Sequence, residues 1–376
     1  MIKFFNKHIS IFSFTIILIF FSPLFYYSYE YILNIWAYSD AFVNYSHGFI
    51  RRGLLGEIII NIHKFTNLQI LHIHSSIFLF ITILNIILYI NLLKKISNDR
   101  LVYFFLIFNP AIILFPLYDT GGYLRKELFA ITSMLIHTTA CSKFHNNEIS
   151  LNYYTKFLLF FKIPLITILT LNHGIQFFLI PFHFFLSLNI YNSKFNILKI
   201  KDYFRKENLY LSAYLLTLIP LFYFILNPVE LNQLKLIYNN VVNYDKNILW
   251  PPIYFLSVPL KIAIVAETKN MFQSLNAIKT YFVIICFSIL PIFLFFNFYI
   301  KKNSIEVKNY YFIFLAILPI CLMFFIGRDW GRWINLITFT ILLFFLQFKV
   351  KKNFSFRFFR KNKNIYYLLF KTILFI

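Results

Sequence analysis

Apolar stretches close to the length of a bilayer crossing recur down the whole chain. They lie at about 9–28, 70–93, 101–117, 124–141, 157–171, 175–191, 208–227, 280–300, 311–327 and 333–349. A helix needs roughly 20 apolar residues to cross the hydrocarbon core. Lipid offers no water to an open N–H or C=O, so only helices and closed barrels span it. These runs are continuous rather than alternating, which predicts helices. The expected fold is therefore all-α: a polytopic membrane helix bundle of about 10–11 spans, with residues 365–376 short for a crossing. Of the 376 residues, 60% are hydrophobic and 13% are charged, about half the charged share of a soluble domain. A soluble enzyme, a secreted disulfide scaffold and a disordered regulator are excluded on that ground.

The net charge of +22 does not signal nucleic acid, because the Lys and Arg residues cluster between apolar runs, as the positive-inside rule requires. With a cytoplasmic N-terminus, the inside segments 1–8, 94–100, 142–156, 192–207, 301–310 and 349–364 hold 22 Lys and Arg against 12 outside. That bias predicts a multi-pass membrane protein with its N-terminus in the cytoplasm, residues 1–376 forming one integral membrane domain. Two larger extracytoplasmic loops are expected, 29–69 and 228–279, the first with a short amphipathic stretch. The first apolar run, with no small-residue cleavage site after it, reads as a retained helix. Cys141, Cys286 and Cys321 follow no metal or disulfide spacing, and His72, His74, His137 and His183 lack metal-ligand spacing together. Neither a metal nor a cofactor is expected.

This orientation sends the informative polar residues to one face, the extracytoplasmic one. Ionisable groups at a membrane edge are costly and default to functional candidates. The first cluster runs from Asp40 through His47-Gly48-Phe49-Ile50-Arg51-Arg52-Gly53 to Gly56-Glu57. The second is Asp119-Thr120-Gly121-Gly122-Tyr123-Leu124-Arg125-Lys126-Glu127, and the third Arg328-Asp329-Trp330-Gly331-Arg332-Trp333. His173 sits at the tip where 157–171 and 175–191, two short arms, meet. Arg grips phosphate with a planar fork, so Arg51, Arg52, Arg125, Lys126, His173, Arg328 and Arg332 are candidate phosphate-binding residues. Asp40 is the first candidate for a base, with Asp119 and Asp329 behind it. Trp330 and Trp333 suit either an interface belt or stacking on sugar rings.

An Asp just after the first span, acids in outer loops and a late Arg-rich loop resemble the C-type membrane glycosyltransferases. The strings Gly48-Phe49-Ile50-Arg51-Arg52-Gly53-Leu54-Leu55-Gly56, Arg125-Lys126-Glu127 and Asp329-Trp330-Gly331-Arg332-Trp333 are similar to those of bacterial polysaccharide-cluster membrane proteins, including O-antigen and capsule repeat-unit polymerases. The resemblance implies glycosyl transfer from a polyprenyl-phosphate or polyprenyl-diphosphate (undecaprenyl-type) saccharide in lipopolysaccharide or capsule biosynthesis, beside other polysaccharide-assembly membrane proteins. Polymerisation of repeat units, single-sugar transfer and flipping of a lipid-linked oligosaccharide all remain open at this point.

Overall fold

The computed structural model describes residues 2–94, 106–109, 111–118, 124–192, 210–259, 261–262, 264–266, 292, 308–325 and 330–348. Every described secondary element is helical. A long first helix, α1 (Ile2–Glu30), leads to two short ones in the first loop, α2 (Ile35–Ala41) and α3 (Gly53–Thr66). There follow α4 (Ile70–Lys94), α5 (Phe115–Tyr118), α6 (Glu127–His145), α7 (Leu151–Asn172) and α8 (Ile175–Asn192). The remainder comprises α9 (Tyr210–Leu226), α10 (Leu231–Val242), α11 (Trp250–Tyr254), α12 (Lys308–Leu322) and α13 (Trp330–Leu346).

Among the described helices, α1, α4 and α7 are long and apolar enough to cross a membrane, and α8, α12 and α13 are shorter apolar helices. Large apolar side chains point outward on α1 (Ile11, Ile19, Phe20), α9 (Leu215, Ile219, Phe222) and α12 (Phe314, Leu318). Polar groups such as Asn85, His137, Lys162 and His183 are buried instead. Outward apolar and inward polar is the arrangement a lipid solvent favours. The chain is a polytopic helical membrane protein. The core lies where α4 packs on α1 and α6, α8 on α6 and α12, and α13 on α6 and α12.

Two of the expected spans differ, and a third falls outside the described residues. The described part of 101–117 is no continuous helix: it bends at Phe108, turns through 111–114 and ends in α5. The cause is Asn109-Pro110, since proline has no N–H to give and disfavours helix before it. Asn109 Oδ1 accepts the Ala111 N–H at 2.9 Å instead, a local Asx turn. The arm expected at 157–171 is longer, because Ser150 caps α7 by accepting the Tyr153 N–H at 3.2 Å. One π-helical turn, Leu158–Lys162, interrupts α7 midway. The span 280–300 lies outside the described residues except for Ile292.

A buried charge cluster as the candidate functional site

Asp40 is carried by α2, which starts because Asn34 Oδ1 accepts the Ala37 N–H at 2.9 Å, a usual N-cap arrangement. The loop then doubles back. Gly56 of α3 lies so close to Val43 that a Cβ would stand 2.1 Å from its carbonyl oxygen, so only glycine lets α3 approach. Arg52, just before α3, adopts a left-handed conformation with φ 67°, which is uncommon outside Gly and Asn. That backbone turns its guanidinium back onto Asp40, with Nη1 to Oδ1 at 3.1 Å.

The start of α6 completes the cluster. Lys126 Nζ lies 3.4 Å from Asp40 Oδ2 and donates to the carbonyls of Asp40 at 2.8 Å and Arg52 at 3.0 Å. Glu127, in the first turn of α6, accepts from Arg332 of α13; a carboxylate there also suits the positive end of the helix. His173, between α7 and α8, puts Nε2 4.0 Å from Glu127 Oε1. The Ile175 N–H donates to His173 Nδ1 at 3.1 Å, so the imidazole proton sits on Nε2, facing the carboxylate. Asp40, Lys126, Glu127 and His173 are all buried.

Burial and charge set the protonation states. Burial works to raise the Asp40 carboxyl, yet Lys126 and Arg52 beside it prevail and hold it well below the usual carboxylate range. Burial pushes Arg51, in the first loop, down to about 10. His173 is lowered to about 3 by burial and then by Arg52. Its approach to Glu127 is therefore a neutral imidazole facing a carboxylate rather than an ion pair.

The second loop closes over the first. Arg51 Nη2 donates to the Leu256 carbonyl at 2.8 Å, Tyr38 donates to Asp245 at 2.6 Å, and Gln233 donates to the His47 carbonyl at 2.6 Å. Asn85 Nδ2, midway along α4, donates to the Leu128 carbonyl at 3.0 Å, so the start of α6 lies partway down α4. Beneath Glu127 and Arg332 a small cavity opens between α4, α6, α13 and the 112–116 segment. Its walls, including Ile112, Ile131, Leu336 and Phe339, are almost wholly apolar. The site is thus a charged mouth over an apolar recess.

Of the residues singled out by sequence, Asp40, Arg52, Lys126, His173 and Arg332 meet here, and Glu127 joins them as the second carboxylate. Arg51 is engaged with the second loop, while Arg125 acts on Glu127 and Arg332 through its charge. Asp119, Arg328 and Asp329 lie outside the described residues. Trp333 is 3% exposed with the Arg332 guanidinium 5.0 Å over its ring. Trp330 is half-buried against Phe324. Among the described residues no group of three or more His, Cys, Asp or Glu is placed to hold a metal ion.

Sequence reasoning missed a second polar cluster, deep between α6, α7, α8 and α9. Lys162, Ser133, His137, His183 and Tyr154 are each fully buried and hydrogen-bonded to one another. The one available signal was a lysine inside an apolar run.

Residues 7–184 match a family model described as uncharacterised membrane protein Rv1490. The matched region carries α1 to most of α8, and with them Asp40, Arg52, Lys126, Glu127 and His173. No curated protein and no solved structure matches the chain.

Proposed function

We propose that the chain is a membrane glycosyltransferase that takes a sugar or oligosaccharide from a polyprenyl-(di)phosphate carrier at the extracytoplasmic face. The setting is assembly of a surface polysaccharide of the O-antigen or capsule kind, with polymerisation of repeat units as the reaction. The observation that carries the reading is the convergence of Arg52, Lys126 and Arg332 on Asp40 and Glu127 beside a small apolar cavity. Among the described residues, Arg51, Arg52, Arg125, Lys126 and Arg332 surround those two carboxylates. Guanidinium groups brought together at a membrane edge suit a phosphate, which they grip with planar, bidentate contacts.

The chemistry follows from the same groups. As the anomeric carbon–oxygen bond breaks, the departing phosphate takes negative charge onto Arg52, Lys126 and Arg332. The acceptor hydroxyl attacks that carbon and gives its proton to a carboxylate. Asp40 is a poor base while Arg52 and Lys126 hold it. A phosphate that shares those two cations loosens their grip and raises its proton affinity, so the base is released only when the donor is bound.

The decisive experiment compares lipid-linked saccharides in cells with and without the chain. Loss of the chain, or Asp40→Asn at a normal protein level, should cause a polyprenyl-(di)phosphate saccharide to accumulate while polymer disappears. An unchanged lipid-linked pool and normal polymer contradict the reading.

A second reading, a lipid-linked saccharide transporter, draws on the Lys162 cluster. Ionisable groups deep within several spans are what translocation uses, and glycosyl transfer at one face has no need of them. Accumulated saccharide trapped on the cytoplasmic leaflet would favour that reading.

A further inference from the structure

Lys162 lies at the end of the π-helical turn in α7, with no exposed surface. Its Nζ donates to the Ser133 carbonyl at 2.7 Å and meets the Ser133 hydroxyl. A buried amine packs no better than an apolar side chain of the same length, and single π turns gather at functional sites. Among the described residues, no carboxylate contacts it. The titratable groups acting on it or sharing its cluster are His137 and Cys141 from α6, His183 from α8, Tyr154 from α7 and Tyr214 from α9. On α3, which also packs against α7, Glu57 is taken up by the Tyr45 N–H and Asn61.

The contacts form a path from Lys162 to Tyr154, with one side branch where His137 Nε2 also meets Ser187 Oγ at 3.3 Å. Ser133 Oγ meets His183 Nε2 at 3.5 Å, His183 Nδ1 meets His137 Nδ1 at 3.1 Å, and His137 Nε2 meets the Tyr154 hydroxyl at 2.9 Å. Beyond it, Tyr154 meets Ser187, and Ser187 meets Tyr214, each at 2.9 Å. Two imidazoles joined Nδ1 to Nδ1 hold one proton between them, so one tautomer fixes the other. If His137 carries its proton on Nδ1, then Tyr154 donates to His137, His137 to His183, His183 to Ser133, and Ser133 to a neutral Lys162 amine. If Lys162 is an ammonium, it donates to both oxygens of Ser133 and every other bond reverses. The network has two complete polarities that differ by one proton.

We propose that Lys162 is an intramembrane proton-binding site, filled through this wire from the Tyr154 end. A proton arriving on the Tyr154 oxygen displaces the hydroxyl proton onto His137 Nε2. The His137 Nδ1 proton passes to His183 Nδ1, the His183 Nε2 proton to Ser133 Oγ, and the Ser133 proton to Lys162 Nζ. One proton enters, one N–H forms on Lys162, and no other group changes charge. Tyr154 is one helical turn from the capped start of α7, and Lys162 lies roughly 12 Å further along the axis. The wire therefore serves one side of the membrane, the side away from Asp40, and stands independently of the glycosyl-transfer reading.

The test is nitrogen-15 NMR of the full chain in lipid nanodiscs across roughly pH 5 to 9, with Lys162 assigned by the signal lost in Lys162→Gln. The expected result is a Lys162 nitrogen that moves between amine and ammonium positions, with the His137 and His183 ring nitrogens changing tautomer in step. Lys162→Gln abolishes that tautomer change. Tyr154→Phe keeps the ring and leaves the midpoint in place but slows the exchange; an unshifted His173 signal confirms that each variant is folded. A Lys162 signal constant with pH, tautomers that move without Lys162, or an exchange rate unaffected by Tyr154→Phe overturns the proposal.

Discussion

Lys126 donates to the main-chain carbonyl of Asp40 at 2.8 Å across 86 residues of sequence. The first loop is thereby fastened to the start of α6 by the same side chain that faces the Asp40 carboxylate. Lys126→Met should release both the loop and the acid. Removing one partner of a buried pair costs on the order of 3–5 kcal/mol, and thermal unfolding in detergent would read it. A melting point equal to wild type would mean the clasp does not hold the loop.

His173 supplies a pH signature. In the unfolded chain it takes a proton near its ordinary value of 6.5, whereas in the folded chain burial and Arg52 delay that to about 3. Between those values the unfolded state binds more protons, so stability falls as pH drops through the window, by a few kcal/mol at most (~1.4 kcal/mol per unit). His173→Gln should lessen the slope of stability against pH between 6.5 and about 3, with His145, which burial lowers to about 4, keeping part of it. The same slope in the variant would assign the acid sensitivity elsewhere.

Gly56 tests the loop geometry without touching charge. Its missing Cβ is what leaves room for the Val43 carbonyl. Gly56→Ala should displace α3 and pull Arg52 from Asp40, costing about 1–3 kcal/mol as overpacking does. Retained stability and retained activity together would show that α3 tolerates the shift.

Ser46 and Asn247 belong to the two loops that the Tyr38–Asp245 and Gln233–His47 bonds bring together. Single cysteines at both positions should label from the same side of a sealed membrane, with Ser97 and Asn303 protected from that side. External labelling at Ser97 would reverse the orientation.

How far the sequence went can be judged from particular residues. The helices follow from apolar length, and the turn at Asn109-Pro110 was written in a proline that an apolar count ignored. The meeting of Asp40, Lys126, Glu127 and Arg332 was legible only as three clusters sharing one face. Which acid pairs with which cation depends on α3 folding back over Gly56 and on the left-handed Arg52, and no spacing records either. His137 and His183 stand 46 residues apart, so local periodicity could not join them. Lys162 was visible as a charge in an apolar run, but its bond to Ser133 of α6, 29 residues away in sequence, was not.

The central claim is that Arg52, Lys126 and Arg332 recognise a phosphate carried on a polyprenyl chain. The most direct measurement is thermal stabilisation of the purified full-length protein by polyprenyl phosphate, with the matching polyprenol as control. The phosphate lipid should stabilise the wild type and the alcohol should not. Arg52→Lys or Arg332→Lys keeps the charge but loses the planar fork, and should weaken binding about tenfold, the worth of roughly one charge-assisted hydrogen bond. Equal stabilisation by phosphate and alcohol, or unchanged binding in both variants, would contradict the account.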